Sequence, residues 1–172
     1  RLHVTYAGGT IGMVDSPEGL RPGADLQGWF GSQLEGIELA SNISMSTLDP
    51  LIDSSEATPE DWQAIIDDIN AHAGEADAFL VLHGTDTMAY SAAALSYALA
   101  NLGKPVVLTG SQYPLQLGDQ QIALCAPKAF RRKHALFCIL EVHINREIAL
   151  EYLEQVLRLL KALTAHGRKF QP

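Results

Sequence analysis

Ala78-Phe79-Leu80-Val81-Leu82-His83-Gly84-Thr85-Asp86-Thr87-Met88 is the stretch that decides how the chain is read. It opens as an apolar run too short for a membrane span and right for a strand buried on both faces. The run stops at Gly84, and Thr85, Asp86 and Thr87 follow together. From Met88 to Leu102 the small residues recur with helical spacing. Strand, polar turn and helix in that order are the layout of an open parallel sheet, whose ligands sit beyond the carboxyl ends of its strands. Asp86 therefore stands where chemistry is expected.

Working outward, Gly103-Lys104-Pro105-Val106-Val107-Leu108-Thr109-Gly110-Ser111-Gln112 repeats the pattern of a buried strand ending in a polar turn. Upstream, Thr58-Pro59-Glu60-Asp61 opens a helix, with threonine at the cap, proline at the first position and acids in the first turn. Trp62, Ile65, Ile66 and Ile69 give that helix a buried stripe. Ahead of it, Ile43 to Leu48 alternates like a strand, and Asp53-Ser54-Ser55 follows as a hydrogen-bonding cluster. At the start, Leu2 to Ala7 reads as a short strand ending in Gly8-Gly9-Thr10-Ile11-Gly12. Paired glycines there permit a tight turn and a close approach of a ligand to the main chain. Met13 to Gly23 reads as loop, either an ordinary connection or a lid. Residues 25–34 read as a short helix presenting Leu26, Trp29 and Phe30.

Strands and helices alternating at βαβ spacing predict a doubly wound, mostly parallel α/β sheet with flanking helices. Right-handed crossovers bring the turns at 8–12, 84–87 and 110–112 to one edge, joined by 53–55 if its strand is parallel. Each turn taken singly reads as structure, Gly-Gly-Thr as a capped turn and Asp-Ser-Ser as a shaped one. Their convergence on one rim is what points to a site.

The 172 residues fit one domain able to bury a core, and the 47% hydrophobic and 19% charged content marks it as globular rather than disordered. A net charge of −8 opposes binding to nucleic acid or an anionic membrane surface. No apolar run has transmembrane length. Cys125 and Cys138 form no CxxC pair, which argues against a disulfide framework or zinc ribbon and for a reducing, cytoplasmic compartment. The first residue is Arg1, not methionine, which leaves room for a removed leader. His3, His72, His134, His143 and His166 lack metal-ligand spacing and read as structural, and His83 as a strand-end histidine making one hydrogen bond.

Ala7-Gly8-Gly9-Thr10-Ile11-Gly12-Met13, Asp53-Ser54-Ser55, His83-Gly84-Thr85-Asp86-Thr87-Met88 and Thr109-Gly110-Ser111-Gln112 together resemble the bacterial-type L-asparaginases, most closely the cytoplasmic type I group. The likeness runs over about residues 2–115 in order, spacing and intervening helices. It implies hydrolysis of L-asparagine to aspartate and ammonia with no metal or organic cofactor. It implies Thr10 as nucleophile, Thr85 as the second catalytic threonine, and Asp86 as the carboxylate beside it that also holds the substrate's α-amino group. Asp53, Ser54 and Ser55 match the segment that binds the substrate's α-carboxylate end.

Two features depart from the family pattern. Gly19-Leu20-Arg21-Pro22 stands where the family has a lid tyrosine in Gly-Tyr-x-Pro. The family's lysine, which pairs with the second threonine and the aspartate, has no assigned counterpart. Lys104 begins its strand at the far end, and Lys128 and Lys133 lack the motif's context. Residues 1–115 are expected to form the domain core and 116–172 an atypical continuation, with the family's second domain absent. That continuation holds a basic run at Lys128, Arg131, Arg132 and Lys133, read as a solvated face. It also holds an expected strand at Ala135–Leu140 and an amphipathic helix from Glu147 to Ala165. The expected partners are a small-molecule substrate, L-asparagine or L-glutamine, and further copies of the chain. Two other readings stand beside the hydrolase: a truncated, non-catalytic amino-acid-binding or assembly domain, and a glutaminase or amidotransferase subunit.

Overall fold

The computed structural model describes residues 1–33, 42–112, 114, 128–132 and 135–142, the backbone alone for 30–33 and from 128 onward. In chain order its elements are β1 (Leu2–Gly8), a 3-10 turn (Thr10–Gly12), β2 (Met13–Ser16), β3 (Gly19–Pro22) and α1 (Leu26–Gln33). They continue as β4 (Ile43–Ile52), a 3-10 turn (Ser54–Glu56), α2 (Pro59–His72), β5 (Ala78–Leu82), α3 (Met88–Ala98), β6 (Val106–Ser111), β7 (Lys128–Arg132) and β8 (Ala135–Val142).

The strands β1, β5 and β6 are buried along their whole length, as their apolar runs require. They form the middle of a sheet ordered β4-β1-β5-β6-β8-β7, parallel throughout except for β7, which runs antiparallel to β8. The chain winds outward from β1 in both directions, to β4 on one side and to β5, β6 and β8 on the other. The parallel strands taken in chain order thus lie 2-1-3-4-5, an arrangement whose topological switch point falls between the first and third, here β1 and β5.

Helices α2 and α3 pack on the sheet and on each other. Ile65 and Ile69 of α2, and Met88, Ala92 and Leu95 of α3, bury against Ala7, Phe79, Val81, Val106 and Leu108 of the strands. Trp62 and Ile66 complete the predicted stripe only half-buried, and the Trp62 indole N–H donates to Ser91 Oγ at 3.0 Å, tying α2 to α3. Alternate strand residues Leu2, Val4, Tyr6, Leu80, Leu82 and Val107 are buried too, so both faces of the sheet are covered.

Several boundaries differ from the sequence reading. Met13 to Gly23 is not loop throughout, because β2 and β3 pair as an antiparallel hairpin with Asp15 opposite Leu20. Neither strand of this ribbon has a buried residue, so no apolar alternation marks it in the sequence. Strand β4 extends past Leu48 through Pro50 to Ile52, which its edge position permits. Helix α3 ends at Ala98 rather than Leu102, and α1 covers Leu26–Gln33 with Leu26 buried. The expected strand at Ala135–Leu140 is β8, while Lys128, Arg131 and Arg132 lie on a strand, β7. The amphipathic stretch Glu147–Ala165 falls outside the described residues. Among the described residues no helix is long and apolar enough to cross a membrane.

Candidate active site

Four turns leave the carboxyl ends of β1, β4, β5 and β6, and glycines let them interlock at the β1–β5 switch point. Gly9, at φ 94°, lies so close to the next turn that a Cβ on it would stand 2.7 Å from both Gly84 N and Cα. A Cβ on Gly84 would overlap Ser54 Oγ and stand 2.5 Å from Ser54 Cβ. One on Gly110 would overlap the His83 carbonyl and lie 3.3 Å from Thr85 Cγ2. Glycine is required at Gly9 and Gly110 because backbone occupies the space a side chain would fill, and at Gly84 because the Ser54 side chain does. The contacts run from the Thr10 turn to the Asp86 turn, and from there to Ser54 and to the end of β6.

Hydrogen bonds fix the same geometry. Ser54, 5% exposed, donates its hydroxyl to Asp86 Oδ2 at 3.5 Å, and the Thr87 hydroxyl donates to the Ser54 carbonyl at 2.6 Å. Asp53 caps the 54–56 turn, its Oδ1 accepting from Ser55 N at 2.9 Å and Ser55 Oγ at 2.8 Å. These two hydrogen bonds hold the Asp53 carboxyl below its ordinary pKa. The turn bearing Thr10 closes through Gly12 N to Gly9 O at 3.2 Å, and its Gly12 carbonyl accepts from Gly23 N and Ala24 N where the β2–β3 hairpin returns. The hairpin is therefore anchored to the Thr10 turn at its base.

The six residues singled out from sequence thus gather on one rim. Thr10 and Thr85 are half-buried, Ser54 is buried, and Asp53, Ser55 and Asp86 are exposed. Exposed carboxylate and hydroxyl groups beside half-buried threonines form a surface that can grip a small zwitterion and present hydroxyls to it. Leu20, at the lid position, sits on β3 and is 45% exposed. Lys104 lies at the opposite end of the sheet, where its ammonium donates to the carbonyls of Ala73 and Ala76.

His83 borders this rim, 1% exposed. Its Nδ1–H donates to the Gly84 carbonyl at 2.7 Å, which leaves Nε2 unprotonated and, among the described residues, without a partner. Burial pushes its pKa down, against the opposing effects of the Gly84 hydrogen bond and the Asp61 charge.

Sequence reasoning missed a second polar group far from this rim. His3 of β1 and Asp68 and His72 of α2 meet between strand and helix. Histidine spacing alone could not reveal it. The readable signal was the i, i+4 placement of Asp68 and His72 on one helix face, opposite a strand position occupied by histidine.

Residues 1–120 match the family model described as "Asparaginase, N-terminal". The chain is 41% identical over 176 residues to L-asparaginase 1 of Escherichia coli (strain K12), covering 98% of this chain and 48% of that protein. It is 38% identical over 116 residues to L-asparaginase of Thermococcus kodakarensis, covering 67% of this chain and 35% of that protein. Its fold superposes on the crystal structure of L-asparaginase I from Vibrio cholerae with a TM-score of 0.58 and 45% identity, covering 66% of this chain and 34% of that one. The chain thus spans about half the length of the E. coli relative. With the fold, the glycine-locked turns and the family match in agreement, the chain belongs to the asparaginase family and carries its amino-terminal region.

Proposed function

We propose that this chain supplies the amino-terminal side of an amidohydrolase site that converts L-asparagine and water to L-aspartate and ammonia. The observation that carries the reading is the interlock of the 8–12, 54–56 and 84–87 turns at the sheet's switch point, which gathers Thr10, Thr85, Asp86, Ser54 and Ser55. The Thr10 hydroxyl attacks the side-chain amide carbon, and a base takes its proton. Backbone N–H groups of the glycine turns stabilise the oxyanion. The C–N bond then breaks, ammonia leaves with a proton, and water hydrolyses the resulting threonyl ester, restoring the hydroxyl. Thr85 stands beside the attacked carbon as the second threonine. Asp86 pairs with the α-ammonium of the substrate, which occupies its carboxylate, so another group takes the proton of the nucleophile. Ser54 and Ser55 receive the α-carboxylate, and Asp53, committed to Ser55, holds their turn in shape.

The residues 116–172 continue this domain in the same reading, and a cytoplasmic location goes with the resemblance to the cytoplasmic type I group. Self-association belongs to it as well, as the resemblance to the type I group implies. Leu20, which has no hydroxyl to orient Thr10, favours a second reading, an amino-acid-binding domain without turnover.

Ammonia release from L-asparagine, measured with the unaltered chain and with Asp86→Ala, separates the two when melting temperature with L-aspartate is followed in parallel. The hydrolase reading predicts turnover that falls about 10²-fold or more in Asp86→Ala, and ligand stabilisation lost with it. Stabilisation by L-aspartate without turnover would establish the binding domain, and neither response would refute both.

A further inference from the structure

At the end of the sheet away from the catalytic rim, the inner face of β1 presents His3 and Thr5 to helix α2, which answers with Asp68 and His72. We propose that His3, Asp68 and His72 form a structural binding site for a first-row divalent cation of the zinc type.

Two imidazoles and one carboxylate are a donor set suited to such ions. One ligand atom from each of the three lies within 4.8 Å of the other two. His3 Nε2 is 3.1 Å from Asp68 Oδ2, and His72 Nδ1 is 3.5 Å from Asp68 Oδ1. Atoms bound about 2.0–2.1 Å from one tetrahedral ion stand about 3.3 Å apart, so the His3–Asp68 separation already approximates a coordination edge, while His72 would reach the ion through Nε2 once its ring turns.

The surroundings are those that orient metal ligands. Ser46 Oγ donates to Asp68 Oδ1 at 2.8 Å, and Thr5 Oγ1 donates to Oδ2. His3 Nδ1 meets Ser44 Oγ at 2.8 Å. His72 Nδ1–H donates to the Asp68 carbonyl at 2.8 Å, selecting the tautomer whose Nε2 carries a lone pair. Outer contacts of this kind fix ring orientation and sharpen affinity.

Charge points the same way. The Asp68 side chain is only 11% exposed, and its ion-pair partners among the described residues are the two imidazoles, each charged only when protonated. A bound divalent ion would supply the permanent countercharge that this mostly enclosed carboxylate lacks among the described residues.

His3 and His72 stack with centroids 3.6 Å apart and planes 15° from parallel. Lone pairs of parallel rings lie in separate planes, so coordination requires one ring to turn. His3 is 1% exposed and held by Ser44, whereas His72 is 34% exposed and is the ring that turns, giving up its hydrogen bond to the Asp68 carbonyl as it does. Loading therefore unstacks the pair, enters past His72, and clamps α2 to β1 and, through Ser44 and Ser46, to β4. The ion stabilises the fold and takes no part in the chemistry of the rim.

Isothermal titration of Zn²⁺ into the metal-stripped 172-residue chain tests this. One equivalent should bind and raise the melting temperature, and His3→Gln and His72→Ala should each weaken binding at least about tenfold. Substoichiometric binding, or affinity unchanged in His72→Ala, would overturn the site. His72 is half-exposed, so that variant keeps the test available should His3→Gln fail to fold. Co²⁺ added to the unaltered chain gives an independent reading: a tetrahedral d–d absorption displaced by Zn²⁺ supports the site, and its absence refutes it.

Discussion

Gly84 shows how much of the site depends on single atoms. The space beside its Cα is filled by Ser54, and Gly9 approaches from the other side at 3.6 Å from where a Cβ would stand. Gly84→Ala must displace Ser54, and with it the contact to Asp86. We expect the substitution to destabilise the chain by about 1–3 kcal/mol in urea or thermal unfolding and to abolish ligand stabilisation at the rim. At this scale the sequence was most informative. Thr10, Thr85 and Asp86 stand in glycine-bearing turns that end buried strands, and such turns are where polar side chains reach a ligand. The Asp53 carboxylate was harder to read, because a cap and a ligand contact demand the same residue type. The free Nε2 of His83 was not legible, since a tautomer depends on which atom the ring meets in space.

Among the elements, α2 carries the sequence signals most openly. It starts at Pro59, and the Asp61 carboxylate accepts from both the Thr58 N–H at 2.8 Å and the Thr58 hydroxyl at 2.9 Å. Asp61→Ala removes the acceptor of both hydrogen bonds, and equilibrium unfolding should record a loss of about 0.5–2 kcal/mol with the fold retained. The loss should appear without a change in the denaturant slope, because the surface buried is the same. The β2–β3 hairpin is the opposite case. Its residues are exposed or half-exposed, so no buried face imposes a period of two, and density of glycine and proline made it resemble loop. Strand β4 was foreshortened for a related reason: Pro50 reads as a break, yet at a sheet edge its missing N–H costs no ladder bond. The pairing of Asp68 with His3 joins elements 65 residues apart, a distance at which local pattern gives no guidance.

For the whole molecule, the buried His83 and the partly buried Asp68 set how stability depends on pH. Burial alone would raise the Asp68 pKa, yet hydrogen bonds from His3, Thr5 and Ser46 outweigh it and bring the value from 3.8 to about 2. A carboxyl with a depressed folded pKa stabilises the fold above its unfolded value and loses that contribution as pH falls through the folded one. Asp68 thus contributes about 1–2 kcal/mol, after allowance for solvent screening, which disappears between about pH 4 and pH 2. His83 acts earlier: burial lowers its pKa from 6.5, so the unfolded chain binds the proton first and stability declines as pH drops below that value. Melting temperature against pH should fall first below pH 6.5 and then more steeply below pH 4, the first step vanishing in His83→Leu.

The sheet order explains why the rim lies where it does. Winding outward from β1 separates the crossovers at β1 and β5, and the crevice so formed receives the Thr10 and Asp86 turns. The alternation of apolar runs and helices made the parallel core and this edge legible in the sequence, while the final antiparallel β7 was not, since its basic residues resemble a solvated surface. Thr10 is the group proposed to attack the substrate amide. Ammonia release from L-asparagine by the unaltered chain, Thr10→Ser and Thr10→Ala measures this most directly. We predict residual turnover in Thr10→Ser and a loss of about 10²-fold or more in Thr10→Ala. Turnover undiminished in Thr10→Ala would contradict the assignment and move the nucleophile elsewhere on the rim.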